Sequence, residues 1–283
     1  MKVKKRKIDI LVLSDIHLGS FGCRAHELLQ YLHTIKPKKV ILNGDIIDVW
    51  QFRKYYFPKS HLKVIRIFLS WLTKGIKVYY ITGNHDEVMR RFKGIKIGSL
   101  SVLNSLVLKD REKSFWFFHG DVFDVTMKHS KWLAKLGGVG YDLLIILNTI
   151  VNKISKLLGK GKISLSQKVK DSVKNAVKYI NDYEDTAISI AIDNGYDAVI
   201  CGHIHQPAMR TVTNEKGTVE YLNSGDWIEN LTALEYTSGQ WSLYKYYEDP
   251  VAQNVSKKNL TKSEKKIKQL FKEMVTEFDF RVA

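Results

Sequence analysis

Five short clusters of acid, amide and imidazole side chains punctuate the sequence. They read Ser14-Asp15-Ile16-His17, Gly44-Asp45-Ile46-Ile47-Asp48, Gly83-Asn84-His85-Asp86, His119-Gly120-Asp121 and Gly202-His203-Ile204-His205. Their donors are hard and borderline oxygen and nitrogen atoms, the set that suits Mn²⁺, Fe or Zn²⁺. Asp15 and His17 are two residues apart, so at a strand end both would face the same side, toward one ion. Taken singly, each cluster fits something ordinary. Gly-Asp and Gly-Asn are turn formers, a lone histidine can be a satisfied core residue, and a His-x-His pair can be solvated loop. All five in order, each after an apolar run, predict a metal centre instead.

The runs that must position these residues alternate in type. Strands are expected over Ile8 to Ser14, Lys39 to Asn43, Lys77 to Thr82, Val102 to Leu108 and Ser114 to Phe118. Helices are expected over Arg24 to Ile35 and His61 to Thr73, the second with Leu62, Ile65, Leu69 and Leu72 on its apolar face. From about Val125 to Asn194 the spacing is helical throughout, and Val169, Val173, Val177, Ile180, Tyr183, Ala187 and Ala191 trace one long face. Strands resume at Asp197 to Cys201, Thr218 to Leu222, Thr232 to Tyr236 and Trp241 to Tyr247. Such alternation predicts a layered α/β fold. The expected organisation is one domain over 1–250 with a helical insertion at about 125–196, then a basic tail over 251–283. Thr261 to Phe278 in that tail is expected to be an amphipathic helix.

The bulk composition fits a globular chain with a polyanionic partner. Of 283 residues, 45% are apolar and 26% charged, and the formal net charge is +16. That balance suits a nucleic acid, an anionic membrane surface or a phosphorylated substrate. Two cysteines, Cys23 and Cys201, indicate no disulfide framework and fit a reducing compartment. The basic N-terminus runs into Ile8 to Leu13, which is too short for a signal-peptide core and contains Asp9. No apolar run approaches the ~20 residues of a spanning helix. A cytoplasmic location is expected, with contact on the inner face of the cytoplasmic membrane through Tyr141 to Leu158 and the tail helix.

From Ile8 to about Tyr247 the five motifs together resemble the calcineurin-like metallophosphoesterase superfamily. The resemblance implies a four-layer α/β/β/α sandwich with a helical lid and a dinuclear metal centre. It implies that Asp15, His17 and His205 bind one ion, that Asn84, His119 and His203 bind the other, and that Asp45 bridges both. By the same resemblance His85 binds phosphate and protonates the leaving oxygen, with Asp48 orienting and charging it. Two divalent ions about 3.5–4 Å apart activate water and neutralise charge in an in-line displacement at phosphorus. Manganese is the first expectation, with iron or zinc admitted by the same ligands. For Asp121 the expectation is structural: it orders the loop beneath His119.

Two further features narrow the substrate. The lysine-rich helical block between His119 and His203 is expected to form a lid beside the metals, with an apolar inner face suited to acyl chains. Lys168, Lys174 and Lys178 are its candidate phosphate contacts, and each equally fits a solvated helix face. The stretch Tyr221 to Trp227 is similar to that of UDP-2,3-diacylglucosamine hydrolases, which release UMP and a lipid phosphate in lipid A biosynthesis. Their best-known branch carries Arg at the position of His85, and Gly-Asn-His-Asp keeps the general superfamily form. The expected activity is therefore hydrolysis of UDP-2,3-diacylglucosamine or a similar nucleotide-linked lipid. The alternatives are a metal-dependent phosphodiesterase acting on nucleic acid or small nucleotides and, ranked below it, a non-catalytic scaffold. The absence of an evident aromatic stacking platform weighs against nucleic acid.

Overall fold

Strand β1 (Arg6–Leu13) shows how the molecule is layered. Its residues alternate between two cores: Leu11 and Leu13 enter one, Ile10 and Val12 the other. That alternation is the signature of a strand buried on both faces. The computed structural model describes residues 5–49, 57–124 and 165–255, with side chains of the last long helix from Val177 onward.

Two sheets form the centre. The larger contains β1, β2 (Ile35–Asn43), β3 (Lys77–Ile81), β4 (Lys96–Ile97), β5 (Leu100–Leu103), β11 (Thr232–Thr237) and β12 (Gln240–Lys245). Its order is β12-β11-β1-β2-β3-β5-β4. Here β1, β2, β3 and β5 run parallel, in a register that sets Val12 opposite Ile41 and Ile41 opposite Tyr79. The smaller sheet contains β6 (Ser105–Asp110), β7 (Lys113–Phe118), β8 (Ala198–Cys201), β9 (Ala208–Asn214) and β10 (Gly217–Asn223), in the order β6-β7-β8-β10-β9. Its β7, β8 and β10 are parallel, with Phe117 opposite Ile200 and Ile200 opposite Leu222.

Helices α1 (Ala25–Thr34) and α2 (Lys59–Thr73) cover the outer face of the larger sheet. Helix α3 (Leu165–Asp193) covers the outer face of the smaller one through Tyr183, Ala187, Ile188, Ala191 and Ile192. Between the sheets lie Ile10, Val12, Ile41, Ile81, Phe115, Phe117, Ala198, Ile200 and Leu222. The order of layers is α/β/β/α, as the sequence predicts. A short helix α4 (Pro250–Gln253) closes the described chain, with the Asp249 side chain accepting from Val251 and Ala252 N–H.

Several expectations need correction. The single strand expected over Val102 to Leu108 is two strands in different sheets, β5 and β6, and the chain crosses over at Asn104. Helix α2 is centred on buried His61, Val64, Phe68 and Trp71, while Leu62, Ile65, Leu69 and Leu72 of the expected face are half-buried, with Ile65 and Leu72 packed at the edge of the core. The apolar arc of this helix is wide, and the bulky aromatic pair Phe68 and Trp71 lies at its buried centre. On α3 the expected face is buried at Tyr183, Ala187 and Ala191, Ile180 is half-buried and Val177 is 50% exposed, while the side chains of Val169 and Val173 lie outside the described residues. The Tyr141 to Leu158 helix, the tail helix over Thr261 to Phe278 and the insertion over 125–164 lie outside the described residues. No helix among the described residues is long and apolar enough to cross a membrane.

Candidate metal centre

The parallel strands deliver the motifs to one rim. Each of β1, β2, β3, β7 and β8 ends one or two residues before a cluster that begins at Ser14, Gly44, Gly83, His119 or Gly202. In open α/β sheets this is where ligands collect. Backbone hydrogen bonds then lock the loops together. Asp15 N–H donates to Gly44 O at 3.1 Å, His17 N–H to Asp45 O at 2.9 Å and Gly202 N–H to His119 O at 3.0 Å.

The backbone at these loops is unusual. Asp15, His17, Asp45, His203 and His205 all have positive φ, between 50° and 69°. Non-glycine residues seldom adopt that region, and such strain persists only where surrounding structure enforces it. It also corrects the expected geometry: β1 ends at Leu13, so Asp15 and His17 share a side through repeated left-handed turns, not strand alternation. Gly83 has a different constraint. A Cβ there would collide with the Asp45 carboxylate, whose Oδ1 accepts the His85 N–H at 2.9 Å.

The side chains form overlapping groups. Asp15, His17 and His205 make one, and Asp45, His119 and His203 make another, the candidate ligand atoms of each lying within 4.8 Å of one another. The Asp45 carboxylate serves both: its Oδ2 lies 3.4 Å from His119 Nε2 and 3.9 Å from His17 Nε2. Asp15 Oδ1 lies 3.1 Å from His205 Nε2. A third group joins His17, Asp48 and His85, with Asp48 Oδ2 3.4 Å from His17 Nδ1 and Asp48 Oδ1 3.2 Å from His85 Nδ1. Asp48 is thus wedged between two rings, one more than the sequence suggests.

The donor set fits divalent cations on a physical test. His119 Nδ1 lies 2.9 Å from Asn43 O, an atom that can only accept, so Nδ1 carries the hydrogen. Its Nε2 is then the atom turned toward the Asp45 carboxylate, 3.4 Å away. Asp15 Oδ1, His17 Nε2, Asn84 Oδ1 and His119 Nε2 are buried and make no hydrogen bond among the described residues. Buried lone pairs without a donor are costly, and a shared cation satisfies them together.

Charge in the cluster follows from the same proximity. Burial alone would raise the Asp45 carboxyl, but His119, His17 and His85 hold it well below the usual carboxylate range. Burial alone would lower His205, yet Asp15 pushes it up to about 9. For His85 burial again opposes charge, and the contact with Asp48 plus the carboxylates of Asp45 and Asp15 prevail, raising its pKa. Its side chain is 22% exposed, so this imidazole stands at the solvent edge of the cluster.

Supporting residues also emerge. Asp86 is buried and pins two motif loops: Oδ1 accepts Gly83 N–H at 2.7 Å, while Oδ2 accepts Ile46 N–H at 2.9 Å and the Tyr80 hydroxyl at 2.5 Å. Its place in Gly-Asn-His-Asp was a signal, but its role depends on contacts far along the chain. Asp226 caps the turn after β10, accepting Ile228 and Glu229 N–H at 2.7 and 2.6 Å, and Asn230 beside it donates to His205 O at 2.9 Å. The Tyr221 to Trp227 stretch therefore supports the rim that carries His205. Asp121 is salt-bridged to Arg90, which ties the His119 loop to the short helix after Asp86. Lys178 is exposed on α3 and stands apart from these groups, and the side chains of Lys168 and Lys174 lie outside the described residues.

The comparisons with known proteins agree with this geometry. The family model described as calcineurin-like phosphoesterase matches residues 8–207. A UDP-2,3-diacylglucosamine hydrolase of Aliivibrio fischeri is 23% identical over 245 residues, covering 84% of this chain and 98% of that protein. One from Aeromonas salmonicida is 23% identical, covering 83% and 92%. The DNA double-strand break repair protein Mre11 of Methanococcus maripaludis is 24% identical, covering 77% of this chain and 54% of that protein. Among solved structures, a novel archaeal phosphodiesterase is similar at 13% identity and a TM-score of 0.42, covering 83% and 98%. The chain belongs to the calcineurin-like phosphoesterase family and is a metal-dependent hydrolase.

Proposed function

We propose that this chain cleaves the pyrophosphate bond of a nucleotide-linked lipid of the UDP-2,3-diacylglucosamine kind, giving UMP and a lipid phosphate. The observation that carries the catalytic half is Asp45, one carboxylate facing two Asp/His groups. In this reading Asp15, His17 and His205 hold one divalent cation, Asn84, His119 and His203 the other, and Asp45 both, with manganese as the resident metal. Bound there, the two cations activate water and neutralise charge on the phosphoryl oxygens. Asp45 and Asp15 stay ionised across the working range. His85, kept protonated by Asp48, stands at the solvent edge and hands its proton to the leaving oxygen.

The substrate half rests on end-to-end similarity to the UDP-2,3-diacylglucosamine hydrolases, against about half-length coverage of the Mre11 protein. The net charge of +16 suits both the substrate phosphates and an anionic cytoplasmic membrane surface from which a lipid would be drawn. The purified chain with Mn²⁺ should release UMP from UDP-2,3-diacylglucosamine, followed by chromatography. Asp45→Ala should abolish release, and His85→Ala should cut it by about 10²–10⁴-fold. Cleavage of bis-p-nitrophenyl phosphate with no UMP would overturn the lipid substrate and favour a nucleotide or nucleic-acid phosphodiesterase.

A further inference from the structure

Tyr183 lies on α3, outside the five motifs, yet its hydroxyl reaches the backbone of two of them. It donates to His119 O at 3.1 Å and to Gly202 O at 3.3 Å. The side chain is fully buried, its ring against Phe123 with centroids 5.4 Å apart and against His203 at 6.3 Å. The approach is close enough to dictate a neighbour: Gly120 has φ of 124°, and a Cβ there would collide with the Tyr183 hydroxyl. The glycine of His-Gly-Asp therefore makes room for this tyrosine. Both contacted carbonyls belong to the loops that carry His119 and His203. Among the described residues this hydroxyl makes no hydrogen bond to Asp15, His17 or His205.

We propose that Tyr183 is a positioning residue for one half of the metal centre, fixing the spacing of His119 and His203 from beneath. This rests on the two-cation reading above. A single hydroxyl proton shared by two carbonyls sets the distance between the loops, and imidazole ligation tolerates little displacement. Helix α3 thereby bears directly on His119 and His203, and it reaches His205, three residues past Gly202 on the same loop, only through the intervening backbone.

Tyr183→Phe is a mild probe, because neither carbonyl loses its last donor. His119 O keeps Gly202 N–H at 3.0 Å, and Gly202 O keeps the Asn223 amide at 3.0 Å. The full chain, stripped of metal, is titrated with Mn²⁺ and followed by calorimetry and electron paramagnetic resonance. The parent should take up two ions and develop a spin-coupled signal. In Tyr183→Phe the first ion should bind as in the parent and the second about three- to tenfold more weakly, the loss of one hydrogen bond's worth of positioning. At one to two equivalents an uncoupled six-line spectrum should persist where the parent is coupled. Thr186→Ala, on the same helix, should leave both ions unchanged and serves as the control for helix integrity.

Equal weakening of both ions in Tyr183→Phe, or no change in either, overturns the positioning role while the two-cation reading stands. A parent chain that binds fewer than two ions overturns that reading, and the positioning role with it.

Discussion

Asp48 touches two imidazoles that do different work. One carboxylate oxygen lies against the candidate ligand His17 and the other against the candidate proton donor His85, and the residue is 1% exposed. A carboxylate on Nδ1 fixes the ring and its tautomer, so that Nε2 of His17 is left bare for an ion. An amide can accept from one ring but must turn its NH₂ toward the other. Asp48→Asn should therefore cost both functions: about 10–100-fold in turnover, and a weaker hold on the ion at the Asp15, His17 and His205 group. Measuring kcat beside Mn²⁺ affinity separates the roles. Unchanged affinity with reduced kcat would mean that Asp48 serves His85 alone. The contact with His17 could not be read from Gly-Asp-x-x-Asp, since the two intervening residues say nothing of where the first motif loop folds back.

At the scale of elements, helix α2 is fastened to the rim by a histidine. Gly19 N–H donates to His61 Nδ1 at 2.9 Å, so the folded chain needs that nitrogen unprotonated. Burial first, and the charge of His26 second, push the His61 pKa down from 6.5 to about 4. The unfolded chain thus binds this proton more readily than the folded one. The stability His61 contributes is complete above pH ~6.5, declines as pH falls toward 4 and changes no further below, a loss of about 1–2 kcal/mol after solvent screening. Urea unfolding between pH 7.5 and 4 should give a steeper loss for the parent than for His61→Gln. Parallel pH profiles would sink this assignment. Much at this scale is legible in sequence: β1, β2, β3, β7 and β8 stand out as apolar runs because they are buried on both faces. Strand β9 is not, since most of its side chains are exposed and its composition reads as loop. The crossover at Asn104 is hidden for a related reason: alternation reports which face is buried but not which sheet a strand joins. The five motifs announce the candidate ligands, whereas Tyr183, Asp86 and His61 act over distances along the chain that spacing cannot encode.

At the scale of the whole molecule, the surface ion pairs stand against local crowding of like charge. Among the described residues Arg6 pairs with Glu235 at 2.7 Å, Arg210 with Glu184 at 2.6 Å and Lys38 with Asp9 at 2.6 Å, but these cations remain 47%, 47% and 71% exposed. Pairs at such exposure contribute about 0–1 kcal/mol each. Against them stands like-charge crowding. Lys5, Lys63, Arg66 and Lys74 line a depression of about 240 Å³ between α1 and α2, together with Leu32 and Trp71. Burial, with the charge of Lys74 beside it, lowers the Lys5 pKa, the mark of a cation that its surroundings disfavour. Repulsion between Lys5 and Lys74 is local to this depression, and screening should relieve it. Raising NaCl from about 20 mM to about 0.5 M at fixed pH and metal should lift Tm by several degrees. Lys74→Glu, which turns the nearest repulsion into a pair, should raise Tm at low salt and flatten the salt dependence. A Tm that falls with added salt would mean that the ion pairs, not the crowding of Lys5 and Lys74, govern the electrostatics of this fold.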